Sequence, residues 1–157
     1  MFFWLAPGVV AGLVPYLLTG WQLEGPFLGI RAGRFVGVLL LIAGAATVLD
    51  SFARFALQGR GTPAPVVPTE TLVASGLYRF VRNPMYVGVL AAIAGQALLF
   101  GSPVLLAYGG IIWFAFDTFV AGYEEPTLAR QFGDSYQDYC RNVPRWLPRL
   151  RPWRGGK

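Results

Sequence analysis

MYVGVLAAIAGQALLFGSPVLLAYGGIIWFAFDTFVAGY, residues 85–123, decides the fold class of this chain. Two apolar runs, 85–100 and 103–123, meet at Gly101-Ser102, and their most polar members are Gln96 and Asp117. A membrane-spanning helix needs roughly 20 predominantly apolar residues, so the stretch reads as a helical hairpin in lipid. Upstream, 35–49 (FVGVLLLIAGAATVL) and 2–19 (FFWLAPGVVAGLVPYLLT) are equally free of charge. The pattern predicts an all-α integral membrane protein, a single domain over 1–157. Its four spans are expected at 2–21, 34–54, 84–100 and 103–123, with short cytoplasmic helices in 124–157. The shorter runs require tilt or local thinning of the bilayer. The first run lacks a basic n-region and contains Pro7 and Pro15, so it reads as a kinked helix rather than a signal peptide. Gly33, Gly37, Gly44-Ala45-Ala46, Gly88, Ala91-Ala92 and Gly95 are expected to let helices approach closely, and nothing more.

The composition agrees. Of 157 residues 55% are apolar and 13% charged, about half the charge of an ordinary soluble domain. Histidine is absent and Cys140 is the single cysteine. A disulfide framework, a zinc site and a Ser/His/Asp triad are therefore excluded, and no metal site is expected. The net charge of +5 is unevenly spread. With four spans, one side of the bilayer holds eleven of the 13 basic residues and the other only Arg31 and Arg34. The positive-inside rule then places both termini in the cytoplasm.

Chemistry-bearing residues gather on that side. In TLVASGLYRFVRNPMY (71–86), Asn83 before Pro84 reads as the N-cap and first residue of the third helix. Arg82 beside that helix N-terminus suits a carboxylate or phosphate. The plainer alternative is a helix cap next to an arginine that snorkels to headgroups. Asp117 and Glu124 lie seven residues apart, about two helical turns, and so share a face, with Glu125 about 80–100° further round. The carboxylates can bind a cation, accept hydroxyl hydrogen bonds, or pair with Arg82 or Arg79 as a structural ion pair. Pro126 opens a further segment ended by Gly133, and Asp134 with Gln137 resembles a capping box for a last helix. Tyr136 and Tyr139 share a face of that helix. The tail, VPRWLPRLRPWRGGK (143–157), mixes Arg, Trp and Pro as a segment lying on anionic headgroups would. No nucleic-acid-binding fold precedes it, so no nucleic-acid partner is expected.

The order GLYRFVRNPMYVG (76–88), helical hairpin, YEEPTLARQFGDSYQDYCRNVPRWLPR (123–149) resembles the membrane methyltransferases typified by isoprenylcysteine carboxyl methyltransferase, to which the phospholipid N-methyltransferases are related. That family carries an R-H-P-x-Y motif, two membrane helices, a Glu-Glu pair, an F-G-x-x-Y-x-x-Y segment and a proline-bearing tail. The match covers 76–149, close to half the chain. Asn83 departs from the pattern, standing where eukaryotic members have His, so no imidazole is available here as a base.

The resemblance implies S-adenosyl-L-methionine as cofactor, bound at the cytoplasmic face. Carried over by position, Tyr78, Arg82, Asn83, Pro84, Tyr86, Glu124, Glu125, Tyr136 and Tyr139 form its pocket, Pro144 helps the tail close over it, and Arg82 and Glu125 are the catalytic candidates. The chemistry is consistent: a carboxylate suits Arg82, ribose hydroxyls or a cation suit the glutamates, and an aromatic face suits a sulfonium. Methyl transfer is an in-line displacement that depends on alignment. Without histidine, an amine or thiol acceptor would need Glu125 or Asp117 as base, which favours a carboxylate or an easily ionised thiol. The acceptor is expected to be a lipophilic small molecule or a prenylated or lipid substrate. Two alternatives stand beside this reading: an NADPH-dependent reductase like the membrane sterol reductases, and a non-enzymatic four-helix scaffold that binds lipid or a partner.

Overall fold

A computed structural model describes residues 7–58, 72 and 74–155, with only the backbone of 55–58. Every regular element among the described residues is helical. In chain order they are α1 (Val9–Thr19), α2 (Ala32–Gln58), α3 (Pro84–Phe100), α4 (Pro103–Phe119), α5 (Glu125–Phe132) and α6 (Asp134–Asn142). Single 3-10 turns at Phe27–Gly29 and Gly76–Arg79 join them. Among the described residues, two helices are long and apolar enough to cross a membrane: Ala32–Arg54 and the continuous rod Pro103–Phe132. α1 and α3 are shorter apolar helices. The 17 residues of α3 rise about 26 Å against a hydrocarbon core of about 30 Å. The loop run 59–69 and residues 2–6 lie outside the described residues.

The chain divides into two compact units. The first comprises Met1–Val48 and Tyr86–Ala115. Here α2 and α3 run antiparallel with their backbones in contact at two places. A Cβ on Gly37 would sit 2.7 Å from the Gly95 carbonyl oxygen, and one on Gly44 would sit 2.5 Å from that of Gly88. The expected small-residue packing is therefore present at four glycines, while Gly33 faces open space. Phe35, Leu39, Ile42 and Phe114 point outward and are largely exposed, as a lipid-facing surface requires.

The expected kink in α1 has a specific form. Pro15 cannot donate to the Ala11 carbonyl one turn back, and a π turn, Val9–Leu13, precedes it, with the Val14 N–H bonded to Val9 O. Two carbonyls thereby leave the α-helical ladder, and polar side chains from neighbouring helices take them up. Buried Gln96 donates from Nε2 to Ala11 O (2.6 Å), and Tyr108 Oη donates to Val10 O (2.9 Å). The Gln96 Oε1 accepts from Trp21 Nε1 at 3.1 Å. An unsatisfied carbonyl in hydrocarbon costs several kcal/mol, which accounts for Gln96 in an otherwise apolar span. An apolar cleft of about 230 Å³ lies against α3 and α4, lined by Leu90, Ala94, Leu105, Leu106, Gly109 and Trp113.

The second unit comprises Leu49–Met85 and Phe116–Lys157, and contains nearly all the sequence-predicted site residues. Its core is Phe52, Tyr78, Val81, Val120, Tyr136, Tyr139 and Val143. Two local expectations are corrected there. The rod begun by α4 does not stop at Tyr123, and Pro126 does not start a separate segment. A π turn, Val120–Glu124, carries the helix into α5, with the Glu125 N–H bonded to Val120 O. Pro126 has no N–H for the Gly122 carbonyl, and the wider turn absorbs that loss without breaking the rod. Asp134 is the first residue of α6 and not its cap: Gly133, at φ +52°, occupies the cap position and no side chain caps the helix. One side of the tail is bonded to the chain itself. Arg82 N–H donates to Pro144 O (2.9 Å), Arg149 N–H to Phe80 O (3.0 Å) and Trp153 N–H to Arg79 O (2.9 Å). Residues 143–153 thus form a strap along 79–83.

Candidate functional site

The site is built where the strap meets the end of the rod. α3 begins at Pro84 as the Asn-Pro pair predicts, but its N-terminus is covered. Asn83 and Pro84 are buried, and Asn83 Nδ2 donates to the Arg145 carbonyl at 3.2 Å. The open anion site read from the sequence is therefore closed over by the strap.

Arg82 points into a cluster of charge. Its Nη1 lies 3.0 Å from Glu125 Oε1 and 2.8 Å from Cys140 Sγ. Glu125 is also held by Arg145, whose Nε donates to Oε1 and Nη2 to Oε2, both at 2.8 Å. This two-point geometry is the strongest form of arginine–carboxylate pairing. Arg145 Nη1 reaches Asp117 Oδ1 at 3.2 Å, and the same oxygen accepts from Trp146 Nε1 at 2.8 Å. The hydrogen bond from Arg145 to Glu125 holds the guanidinium charged even more firmly than usual. Two guanidiniums and two carboxylates thus form one continuous network, with Glu125 at its centre.

The network corrects the choice of face. A regular α-helix places Asp117 with Glu124 and sets Glu125 about 80° aside. The π turn accommodates one extra residue, so the eight steps from Asp117 to Glu125 turn the helix as about seven would. Glu125, and not Glu124, comes round to the face of Asp117, and both reach Arg145. Glu124 is half-buried and has an interaction of its own.

Behind the network stand the tyrosines. Tyr136 and Tyr139 do share a face of α6, with ring centroids 6.3 Å apart, and both are buried. Tyr139 Oη donates to the Tyr78 carbonyl at 2.6 Å, and its ring packs 5.5 Å from Trp153 of the strap. Burial pushes the phenols of Tyr78, Tyr136 and Tyr139 well above their usual range. They are neutral hydrogen-bonding and packing groups at physiological pH, not bases. Of the residues carried over from the motif, Tyr78, Arg82, Asn83, Pro84, Glu124, Glu125, Tyr136 and Tyr139 lie in this unit, whereas Tyr86 belongs to the other.

Sequence reasoning missed Arg145 and Trp146 as site residues. The signal was Asp117 itself: a carboxylate inside an apolar span requires a partner, and a basic strap rich in Arg and Trp supplies one. The arrangement also offers a donor. Arg82 Nε is buried and finds no hydrogen-bond partner among the described residues. An unsatisfied buried N–H of a charged group costs about 1–3 kcal/mol or more, so an acceptor brought here by a ligand would be held.

Comparison with known proteins bears on residues that span both units. The sequence pattern of the family described as phospholipid methyltransferase matches residues 32–135. A "Methanethiol S-methyltransferase 2" of Bradyrhizobium diazoefficiens is 32% identical over 83% of this chain and 50% of its own length. A "Protein-S-isoprenylcysteine O-methyltransferase" of Schizosaccharomyces pombe is 37% identical over 49% of this chain and 33% of its own. The human protein of that name is 33% identical over 53% and 29%. The chain thus spans half or less of the length of these relatives.

Proposed function

Because the chain belongs to the phospholipid methyltransferase family, we propose that it transfers a methyl group from S-adenosyl-L-methionine to a lipophilic or membrane-partitioning acceptor. The observation that carries this reading is the Arg82–Glu125–Arg145 network, which lies within the sequence motifs of the resemblance and includes one buried, unsatisfied donor. The donor set fits the cofactor. Guanidinium N–H groups of Arg82 match its carboxylate, Glu125 matches its ammonium or ribose hydroxyls, and Tyr136 and Tyr139 give the site neutral aromatic groups. When bound, the cofactor supplies an electrophilic methyl group on a sulfonium.

The chain's own residues then bind, orient and exclude water. Glu125, gripped at two points by Arg145, is positioned with little rotational freedom, which is the alignment an in-line displacement needs. The strap covers the N-terminus of α3 and keeps bulk water from Arg82. Asp117 and Glu125 both enter ion pairs, so neither stands ready as a base; this favours a carboxylate or thiolate acceptor, which arrives deprotonated. In this reading the chain is a single membrane domain of four spans with both termini in the cytoplasm, and the site faces the cytoplasm.

The Arg82–Glu125 contact is direct, which also supports a second reading in which the pair is purely structural and the protein is a scaffold. Calorimetric titration in detergent separates the readings. S-adenosylmethionine or S-adenosylhomocysteine is expected to bind, and Arg82→Ala or Glu125→Gln to weaken it in protein whose thermal unfolding confirms folding. Tight NADPH binding without either nucleoside would establish the reductase alternative. No binding of any of the three would favour the scaffold. Labelled methyl transfer into a lipid extract, with mass identification of the product, then names the acceptor.

A further inference from the structure

The strap has an outer face that its role over the site does not use. Its inner side is fixed: Val143 is buried, Trp146 donates to Asp117, Trp153 packs on Tyr139, and three backbone N–H groups bond along 79–83. On the other side Leu147 is 80% exposed and Leu150 is 99% exposed. Arg151 and Arg154 are also exposed. Residues 139–157 contain five arginines, a lysine and no acidic residue. A leucine at 99% exposure is not explained by any internal packing, and the charge around it is of one sign.

The level of this face along the rod is set by contacts within the unit. Arg145 and Trp146 both bond to Asp117, inside the apolar run 103–123 and about two turns before Glu125. Leu147 follows directly. The strap therefore lies alongside the last turns of a helix long and apolar enough to cross a membrane, at the depth where hydrocarbon gives way to headgroups. Leucine side chains there enter the acyl boundary while arginines remain with phosphates.

We propose that the outer face of the strap, Leu147 and Leu150 with Arg151 and Arg154, is a docking surface for the anionic headgroup layer of the bilayer that holds the protein. Anionic lipid seats the strap, which carries Arg145 and Trp146 against Asp117. The inference rests on the membrane placement alone and not on methyl transfer, so its failure leaves the proposed reaction untouched.

Trypsin accessibility in nanodiscs tests it, because both faces of the bilayer are open to the protease. The full chain is placed in discs of phosphatidylcholine alone and in discs with a third phosphatidylglycerol. Cleavage after Arg154, which Gly155 follows, is tracked by mass spectrometry and normalised to cleavage after exposed Arg31. Since each arginine near an anionic surface strengthens attachment about fivefold, Arg151 and Arg154 together should slow cleavage by about 25-fold in the anionic discs. Leu147→Ser with Leu150→Ser, at positions too exposed to support the fold, should abolish most of that protection. Equal cleavage in the two lipids would overturn the proposal, as would protection that the double substitution leaves intact.

Discussion

Arg145 is the residue whose removal tells most about the site. In the structure it makes two charge-assisted hydrogen bonds to Glu125 at 2.8 Å and one to Asp117 at 3.2 Å, and its side chain is 30% exposed against 19% for Glu125. A buried charge-assisted bond contributes about 1.5–3 kcal/mol, and an exposed ion pair about 0–1 kcal/mol. The observed exposure puts this two-point pair between those limits, so Arg145→Gln is expected to cost about 2 kcal/mol. At roughly 2–4 °C per kcal/mol for a chain of this size, the unfolding midpoint should fall by about 4–8 °C. Glu125→Gln should cost a similar amount. The double variant should lose about 1–2 kcal/mol less than the two single losses combined, because each single change already breaks the shared pair. Chemical unfolding of the four proteins in one detergent supplies the cycle. If the two losses combine to within about 0.5 kcal/mol, Arg145 and Glu125 are not coupled and the network described above is not what holds the strap.

Three further outcomes follow from other parts of the structure. Gly44→Val should destabilise the protein by several kcal/mol in unfolding assays, since its Cβ would meet the Gly88 carbonyl at 2.5 Å, while Gly110→Ala, with nothing within 4 Å, should be nearly neutral. Pro126→Ala restores an N–H for Gly122 and should let the π turn relax to α, raising thermal stability while weakening S-adenosylhomocysteine binding as Glu125 rotates away; unchanged affinity would show that the π turn does not place Glu125. The raised phenol pKa of Tyr78, Tyr136 and Tyr139 means the native state holds these protons more tightly than the unfolded chain does. Their contribution is complete below the ordinary phenol value near 10 and is lost as pH rises above it, so unfolding free energy measured from pH 7 to 11 should decline only at the alkaline end.

The parts of this fold that were legible in the sequence are those written in side-chain character. The apolar runs marked the helices, and Asn83-Pro84 marked the start of α3 to the residue. What was not legible depends on the backbone. The strap is held by N–H groups of Arg82, Arg149 and Trp153, which every sequence possesses and no pattern announces. The expectation that Glu124 shares the face of Asp117, with Glu125 turned aside, came from counting a constant 3.6 residues per turn through a segment that contains a π turn. Pro126 was the visible cue, but whether a proline breaks, kinks or bulges a helix depends on which neighbours can rescue the freed carbonyl. In α1 those rescuers are Gln96 and Tyr108, more than 80 residues away in sequence. The capping box failed for a related reason: Gly133 at positive φ supplied the turn through its backbone, and no side-chain cap was needed.

The glycine contacts carry a mechanical consequence. Gly37 with Gly95 and Gly44 with Gly88 touch at two points seven residues apart on each helix. One such contact would act as a pivot; two, on the same pair of faces, fix rotation and sliding together, because either motion would drive a carbonyl into the opposing backbone. Over this stretch α2 and α3 therefore move as one stiff plank. Compliance in the molecule is left to places where the backbone already departs from the α-helical ladder: the π turn of α1, the π turn beside Glu125, and the irregular strap.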